Sequence, residues 1–278
     1  MMKDEFFDRL IGEHTLCETC PSPEEVAKFF RKLLGFFYLD FSTKPLRSHD
    51  ALQTELNELK LELKSLLSRN PMNAIKGIDK INDRFFEGIT GIYELLNLDI
   101  MAIYEGDPAC QSRREVIRTY PGFYAIAAYR VANLLYNLDV EDLPRVITEH
   151  AHSLTGVDIH PGATIGKSFC IDHGTGIVIG QTSIINDHVK IYQGVTLGAL
   201  SVQKCDANIK RHPTIESHCV LYAGSTILGG DTVIGEGSII GGNVWVTKSV
   251  PPKSKIYYQA KMNTDDNIDV VVFKEFAK

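Results

Sequence analysis

The stretch that decides the fold is VDIHPGATIGKSFCIDHGTGIVIGQTSIINDHVKIYQGVTLG, which occupies residues 157–198. Aliphatic residues recur in it every six positions, apart from one step of eight: Ile159, Ile165, Ile171, Ile179, Ile185, Ile191 and Leu197. A six-residue period fits neither an α-helix nor a simple strand alternation. It is typical of a hexapeptide solenoid, in which short strands form the flat faces of a prism. We therefore predict that one aliphatic side chain per hexad points into a continuous buried column.

The same period resumes after an irregular polar stretch at residues 199–214. Ile215 and Leu221 restore the six-residue step, and a shifted frame then continues it: Leu228, Ile234, Ile240 and Val246. We predict that these residues also point inward and that residues 199–214 leave the prism as a loop. Long loops in compact folds are often functional.

The first half of the chain has helical spacing instead. The sequence Ser22-Pro23-Glu24-Glu25 is a helix start, and apolar residues follow it at helical intervals. A leucine stripe in residues 50–70 predicts a second helix that packs against another helix or subunit. The prediction is an α+β chain with an all-α oligomerisation domain at residues 1–150 and a β-solenoid domain at residues 151–278. The solenoid domain includes the loop at 199–214 and a C-terminal tail at 253–278.

Composition limits the partners and the compartment. The 278 residues carry a formal charge of −6, which does not favour nucleic acid or an anionic membrane as the main partner. No apolar run reaches the roughly 18–20 residues of a membrane span, and the acidic N-terminus does not resemble a secretory signal. Six scattered cysteines fit reduced thiols, so we expect a cytoplasmic protein. Cys17 and Cys20 form a C-x-x-C without a second pair at zinc-site spacing, so no metal is expected.

Several segments resemble the serine O-acetyltransferases, a family of left-handed β-helix enzymes. In the second half they are VDIHPGATIG, IDHGTGIVIG, VTLG, RHPTI, AGSTILGG, IGGNVWV and VPP, and upstream they are DPAC at residues 107–110 and YPGFYAIAAYRVANLLY. The resemblance covers about residues 99–252. It implies a left-handed β-helix that transfers the acetyl group of acetyl-CoA to the hydroxyl of L-serine, giving O-acetylserine for cysteine biosynthesis.

The proposed chemistry needs a base, because a serine hydroxyl holds its proton tightly at neutral pH. Histidine is the natural choice, with an ordinary pKa near ~6.5. The resemblance implies that His173 is this base and that Asp158, nearly one coil earlier, orients it. It also implies a substrate clamp and direct attack without an acyl-enzyme. In that clamp Asp107 and Asp172 hold the ammonium group, Arg211 holds the carboxylate, and His212 completes the pocket.

The resemblance also implies a coenzyme groove between subunits. Backbone amides at Gly198, Ala223 and Gly242 are expected to contact acetyl-CoA there, since a close backbone approach tolerates little side chain. Members of the family form trimers, and their helical domains pair two trimers into a hexamer. Members that dock into cysteine synthase end in isoleucine, so the terminal Lys278 argues against that complex.

Three alternatives remain open from the sequence. The first is another hexapeptide O-acetyltransferase that acts on a sugar, an antibiotic or homoserine. An enzyme that acts on a sugar or an antibiotic has no need of an amino-acid clamp built from Asp107, Asp172 and Arg211. The second is a zinc-dependent carbonic anhydrase on the same solenoid, and metal analysis distinguishes it. The third is a non-catalytic scaffold, in which replacing His173 by alanine changes no activity.

Overall fold

A computed structural model describes residues 2–16, 20–200 and 209–258. Cys17, residues 201–208 of the loop and residues 259–278 of the tail, including Lys278, lie outside the described residues. Cys20 is disulfide-bonded, so the expectation of reduced thiols is wrong at this position. Cys110, Cys170 and Cys219 are free and buried. In the part of the chain that the structure describes, no helix is both long and apolar enough to cross a membrane.

The first half is helical, as its spacing predicts. The helices are α1 (Met2–Leu16), α2 (Pro23–Phe37), α3 (His49–Arg69), α4 (Pro71–Ala74), α5 (Ile78–Gly106), α6 (Arg113–Thr119), α7 (Pro121–Asn137) and α8 (Leu143–Thr155). A 3₁₀ turn spans Leu39–Phe41. The helix start predicted at Ser22 is confirmed as a capping box, in which the Glu25 amide donates to the Ser22 hydroxyl and the Ser22 amide donates to the Glu25 carboxylate. Leu59 and Leu63 of the leucine stripe are fully buried in α3, which packs on α2 and α5.

The second half is a three-sided, left-handed parallel β-helix. Its strands are β1 (Asp158–Ile159), β2 (Thr164–Ile165), β3 (Cys170–Ile171), β4 (Val178–Ile179), β5 (Ile184–Ile185), β6 (Lys190–Ile191), β7 (Thr196–Gly198), β8 (Thr214–Ile215), β9 (Val220–Leu221), β10 (Thr226–Leu228), β11 (Val233–Ile234), β12 (Ile239–Ile240), β13 (Trp245–Val246) and β14 (Lys255–Ile256). Every third strand up to β13 stacks in one of three parallel sheets, and β14 then pairs with β12. Sheet 1 has the order β1-β4-β7-β10-β13, sheet 2 the order β2-β5-β8-β11 and sheet 3 the order β3-β6-β9-β12-β14.

The inward positions match the sequence period with one exception. Ile159, Ile179 and Leu197 stack in register along sheet 1 and are at most 2% exposed. The expectation that Leu228 points inward is wrong, because Ile227 pairs with Leu197 and is fully buried. The six-residue step therefore continues to Ile227, and the extra residue falls in the following corner. There Gly229 has a φ of 101°, a conformation that glycine accepts without a steric penalty.

A buried ion pair fixes the helical half against the first coil of the β-helix. The Arg130 guanidinium contacts the Asp99 carboxylate at 2.8 Å, and it also donates to the carbonyls of Ile165 and Gly166. The Phe169 amide donates to the same carboxylate at 2.9 Å. Asp99 lies on α5, so this network sets where the C-terminal end of that helix meets the β-helix. The helices end at Thr155 and the first strand begins at Asp158, and the hydrophobic core continues across this junction.

Candidate active site

The step of eight in the sequence forms an enlarged corner between β3 and β4, where sheet 3 turns into sheet 1. We call this corner and those stacked above it the His173 edge. His173 has a φ of 58°, and Gly174 and Gly176 also have positive φ values, so the extra residues form a left-handed turn. The His173 side chain is 71% exposed, whereas the Asp172 side chain is only 11% exposed. The enlarged corner thus presents an accessible imidazole beside a sheltered carboxylate, whose Oδ1 lies 3.7 Å from Nε2 of the ring.

The helical half brings a second carboxylate to this edge. Asp107 directly follows α5, and its Oδ2 accepts a 2.5 Å hydrogen bond from the Tyr120 hydroxyl. Its Oδ1 accepts from the Ala109 amide at 2.9 Å. The bond from Tyr120, followed by the bond from Ala109, lowers the pKa of Asp107, and the positive charge of Lys190 contributes in the same direction. Asp107 is therefore held as a carboxylate close to His173 and Lys190.

Lys190 belongs to the same cluster, although sequence reasoning missed it. Its Nζ lies 3.0 Å from Asp172 Oδ2 and donates to the Gly106 carbonyl at 2.6 Å. Burial opposes its charge, but hydrogen bonds with Tyr192 and Asp172 outweigh that effect and raise the pKa of Lys190. The available signal was the coil spacing, because Lys190 pairs with Cys170 on the coil below and so stands next to Asp172.

Asp158 lies on β1, and the single chain places it in another set of contacts. The Arg145 guanidinium lies 3.7 Å from its Oδ1. Glu149 and His152 of α8 join it in a group whose ligand-type atoms all lie within 4.8 Å of one another, although Arg145 already pairs with both carboxylates. Within the described residues, no ion pair or hydrogen bond joins Asp158 to His173. The pairing of these two residues stays a prediction.

Arg211 and His212 lie at a different corner, where sheet 1 turns into sheet 2. We call this corner and those stacked with it the Arg211 edge. Arg211 Nη2 donates to Gln181 Oε1 at 2.8 Å. His212 is only 7% exposed, and its Nδ1 accepts from the Thr182 amide at 3.1 Å. Burial, followed by the charges of Arg211 and Lys210, lowers the pKa of His212 to about 4, so the ring is neutral at pH 7.

Gly180 is what allows His212 to occupy its position. A Cβ at residue 180 would lie 2.0 Å from both Cδ2 and Nε2 of the His212 ring. Any other residue at this corner would therefore displace the imidazole. Gly180, the last residue of the IDHGTGIVIG segment, is thus explained by the close approach of the His212 ring.

The three residues expected to contact the coenzyme also divide between these edges. Ala223 and Gly242 lie on successive coils of the His173 edge, where the Asn243 amide donates to the Ala223 carbonyl at 2.9 Å. Gly198 ends β7 at the Arg211 edge, in register with Leu228. The outer face of sheet 1 lies between the two edges and exposes Val178 and Trp245. The predicted site residues therefore lie at two separate edges of the prism, one at each end of the sheet 1 strands.

Comparison with known proteins accounts for both halves of the chain. The family described as serine acetyltransferase, N-terminal, matches residues 40–128. A plasmid serine acetyltransferase of Synechococcus elongatus is 51% identical over 192 residues, which are 67% of this chain and 60% of that relative. A serine acetyltransferase of Bacillus pumilus is 43% identical over 164 residues, which are 59% of this chain and 73% of the relative.

Solved structures agree with these sequence relatives. Serine acetyltransferase isoform 3 of Entamoeba histolytica, determined in complex with cysteine, is 33% identical and superposes with a TM-score of 0.76. The superposition covers 86% of this chain and 83% of the Entamoeba chain. The helical half and the β-helix are thus those of one family, and the chain belongs to the serine acetyltransferases.

Proposed function

We propose that this protein transfers the acetyl group of acetyl-CoA to the hydroxyl of L-serine. The observation that carries the proposal is the convergence of Asp107, Asp172 and the exposed His173 at one edge. Two carboxylates suit an ammonium group, and an accessible imidazole beside them suits the removal of a nearby proton. The cysteine bound to the Entamoeba relative supports an amino-acid pocket, since cysteine differs from serine only by sulfur in place of oxygen.

In the proposed reaction, His173 takes the proton of the serine hydroxyl while the serine hydroxyl oxygen attacks the thioester carbonyl carbon of acetyl-CoA. A C–O bond forms and the C–S bond breaks. The proton then passes from the imidazolium to the leaving CoA thiolate, which completes the balance without an acyl-enzyme. General-base assistance of this kind contributes on the order of 10²–10⁴ in rate. Asp158 would orient the imidazole after releasing its contact with Arg145.

The two half-sites meet only if the His173 edge of one protomer faces the Arg211 edge of its neighbour. A cyclic trimer produces this arrangement three times, and exposed Trp245 and Val178 on sheet 1 are suited to its interface. In the joined site Arg211 binds the substrate carboxylate as a bidentate fork. Backbone atoms at Ala223 and Gly242 from one protomer and Gly198 from the next line the acetyl-CoA groove. The helical halves pair two such trimers.

The first test measures release of free CoA thiol with serine, homoserine and a galactoside as acceptors. We expect serine to be the preferred acceptor, with His173→Ala lowering kcat by about 10²–10⁴. The matched control is His188→Ala, because His188 has a similar φ of 59° at the corner between sheets 2 and 3. Preference for a sugar or homoserine, or full activity of the His173 variant, would overturn the proposal.

A further inference from the structure

Lys190 joins the two segments that carry the candidate ammonium-binding carboxylates. Its Nζ lies 3.0 Å from Asp172 Oδ2 on the β-helix and donates at 2.6 Å to the carbonyl of Gly106, the last residue of α5. Asp107 is the next residue along the chain. The Lys190 side chain is only 17% exposed, and its Nζ lies 4.5 Å from the centre of the Tyr192 ring. One sheltered ammonium therefore fixes the spacing between Asp107 and Asp172.

The same ammonium sets the charge of the pocket. Two carboxylates and one ammonium leave a single net negative charge, which matches one positively charged amino group. Two neighbouring carboxylates without a cation disfavour each other's ionised form. The charge of Lys190 already helps to lower the pKa of Asp107, after the larger effects of Tyr120 and Ala109.

We propose that Lys190 is a positioning residue for the amino-acid acceptor, which holds Asp107 and Asp172 at the separation that a substrate ammonium bridges. The inference rests on the proposed serine acetyltransferase activity and deepens it. Lys190 transfers no proton and does not contact acetyl-CoA. It acts on the affinity for the amino acid, so its loss is expected in KM for serine rather than in kcat.

Two other roles for Lys190 make different predictions. A purely structural strut between α5 and the β-helix would affect unfolding but would leave KM for serine unchanged in the folded enzyme. A lysine that competes with the substrate for Asp172 would have the opposite effect on KM for serine, because removing it would lower KM instead of raising it. The direction of the change in KM therefore decides among the three.

Three substitutions separate charge from hydrogen bonding. Lys190→Arg keeps both, Lys190→Gln keeps a donor without the charge, and Lys190→Met keeps only an apolar side chain of similar length. The matched control is Lys167→Met, since Lys167 lies 3.7 Å from Asp187 at the corner between sheets 2 and 3. Steady-state kinetics with serine and acetyl-CoA varied in turn, together with thermal unfolding, gives the readout for each purified full-length variant.

We expect KM for serine to rise about 10- to 100-fold in Lys190→Met, the loss that follows from removing a charged hydrogen bond. The KM of Lys190→Gln for serine should lie between those of Lys190→Met and the wild type, and Lys190→Arg should keep most of the affinity for serine. KM for acetyl-CoA should stay within about threefold of wild type in every variant, a shift well under one charged hydrogen bond. Lys167→Met should match wild type throughout.

Two results would overturn the inference alone, with the wild type active on serine. One is an unchanged or lowered KM for serine in both the Met and Gln variants. The other is an equal rise in KM for serine and for acetyl-CoA. If the Met variant does not fold, the Gln and Arg variants decide the question. A wild-type protein that releases no CoA with serine would overturn the proposed function, and the inference with it.

Discussion

The His173 edge and the Arg211 edge each present a histidine beside charged groups, yet they treat it in opposite ways. His173 is 71% exposed on an enlarged left-handed corner, whereas His212 is 7% exposed and accepts a hydrogen bond from the Thr182 amide. Burial next to Arg211 lowers the pKa of His212 to about 4. The His173 ring is accessible to a ligand, whereas the His212 ring is buried and neutral. Environment rather than residue type therefore distinguishes the two histidines.

The largest expected effect comes from mixing two inactive variants, one altered at the His173 edge and one at the Arg211 edge. If the active site forms between protomers, His173→Ala and Arg211→Ala each lose at least about 100-fold in kcat/KM as pure proteins. Mixed trimers contain sites in which one protomer supplies His173 and its neighbour supplies Arg211. Random mixing at equal concentration restores about a quarter of the wild-type activity. The measurement is thiol release after co-refolding or co-expression of the two variants.

The control for this experiment is a mixture of two preparations of the same variant, which contains no intact site. Activity of the mixed trimers equal to that of either variant alone would show that both half-sites belong to one protomer. That outcome would contradict the inter-subunit site.

A smaller effect is expected at the Arg211 edge when Gly180 acquires a side chain. Gly180→Ala places a methyl group against the His212 ring and should destabilise the protein by about 1–3 kcal/mol, the usual cost of overpacking. The matched control is Gly91→Ala, since a Cβ at Gly91 in α5 meets nothing within 4 Å. Removing a helical glycine there should stabilise by about 0.5–1 kcal/mol. Denaturant unfolding measures the change in the free energy of unfolding for both variants. Equal changes would show that the close approach to His212 does not make Gly180→Ala destabilising.

The last effect is a pH dependence of stability that arises at the Arg211 edge. The pKa of His212 is about 4 in the folded protein and near ~6.5 in an unfolded chain, so the unfolded chain binds more protons between these values. His212 therefore lowers the free energy of unfolding as pH falls from about 6.5 towards 4 and has a constant effect above that range. His212→Gln removes this contribution, while His160, with a pKa also near 4, titrates in both proteins. Identical pH slopes for wild type and variant would contradict the assignment.

The sequence period was sufficient to predict the β-helix, because each inward aliphatic residue is set by local geometry that repeats. The period predicted Leu228 as the inward residue because the one extra residue can be placed either before or after β10. Only the pairing of Ile227 with Leu197 shows that it lies after β10. Sequence reasoning chose His173, Asp172 and Asp107 through the family resemblance, and the structure brings all three to one edge.

Lys190 and Tyr120 escaped sequence reasoning for a physical reason. Both act through tertiary contacts between the end of α5 and the first two coils, and neither belongs to a recognisable motif. Their roles depend on where the buried pair of Asp99 and Arg130 fixes α5 against the β-helix. The pairing of Asp158 with His173 is a prediction of another kind, since it requires contacts that the isolated chain does not make.

The attachment of the helices to the first coil has a consequence for how this molecule can vary in length. Tyr129 and Arg130 of α7 bind the carbonyls of Ala163 and Ile165, so the lower end of the prism is sealed by the helical half. A coil gained or lost at that end would uncouple Asp107 from Asp172. A coil added at the opposite end, beyond β14, would instead leave the spacing of Asp107 and Asp172 unchanged.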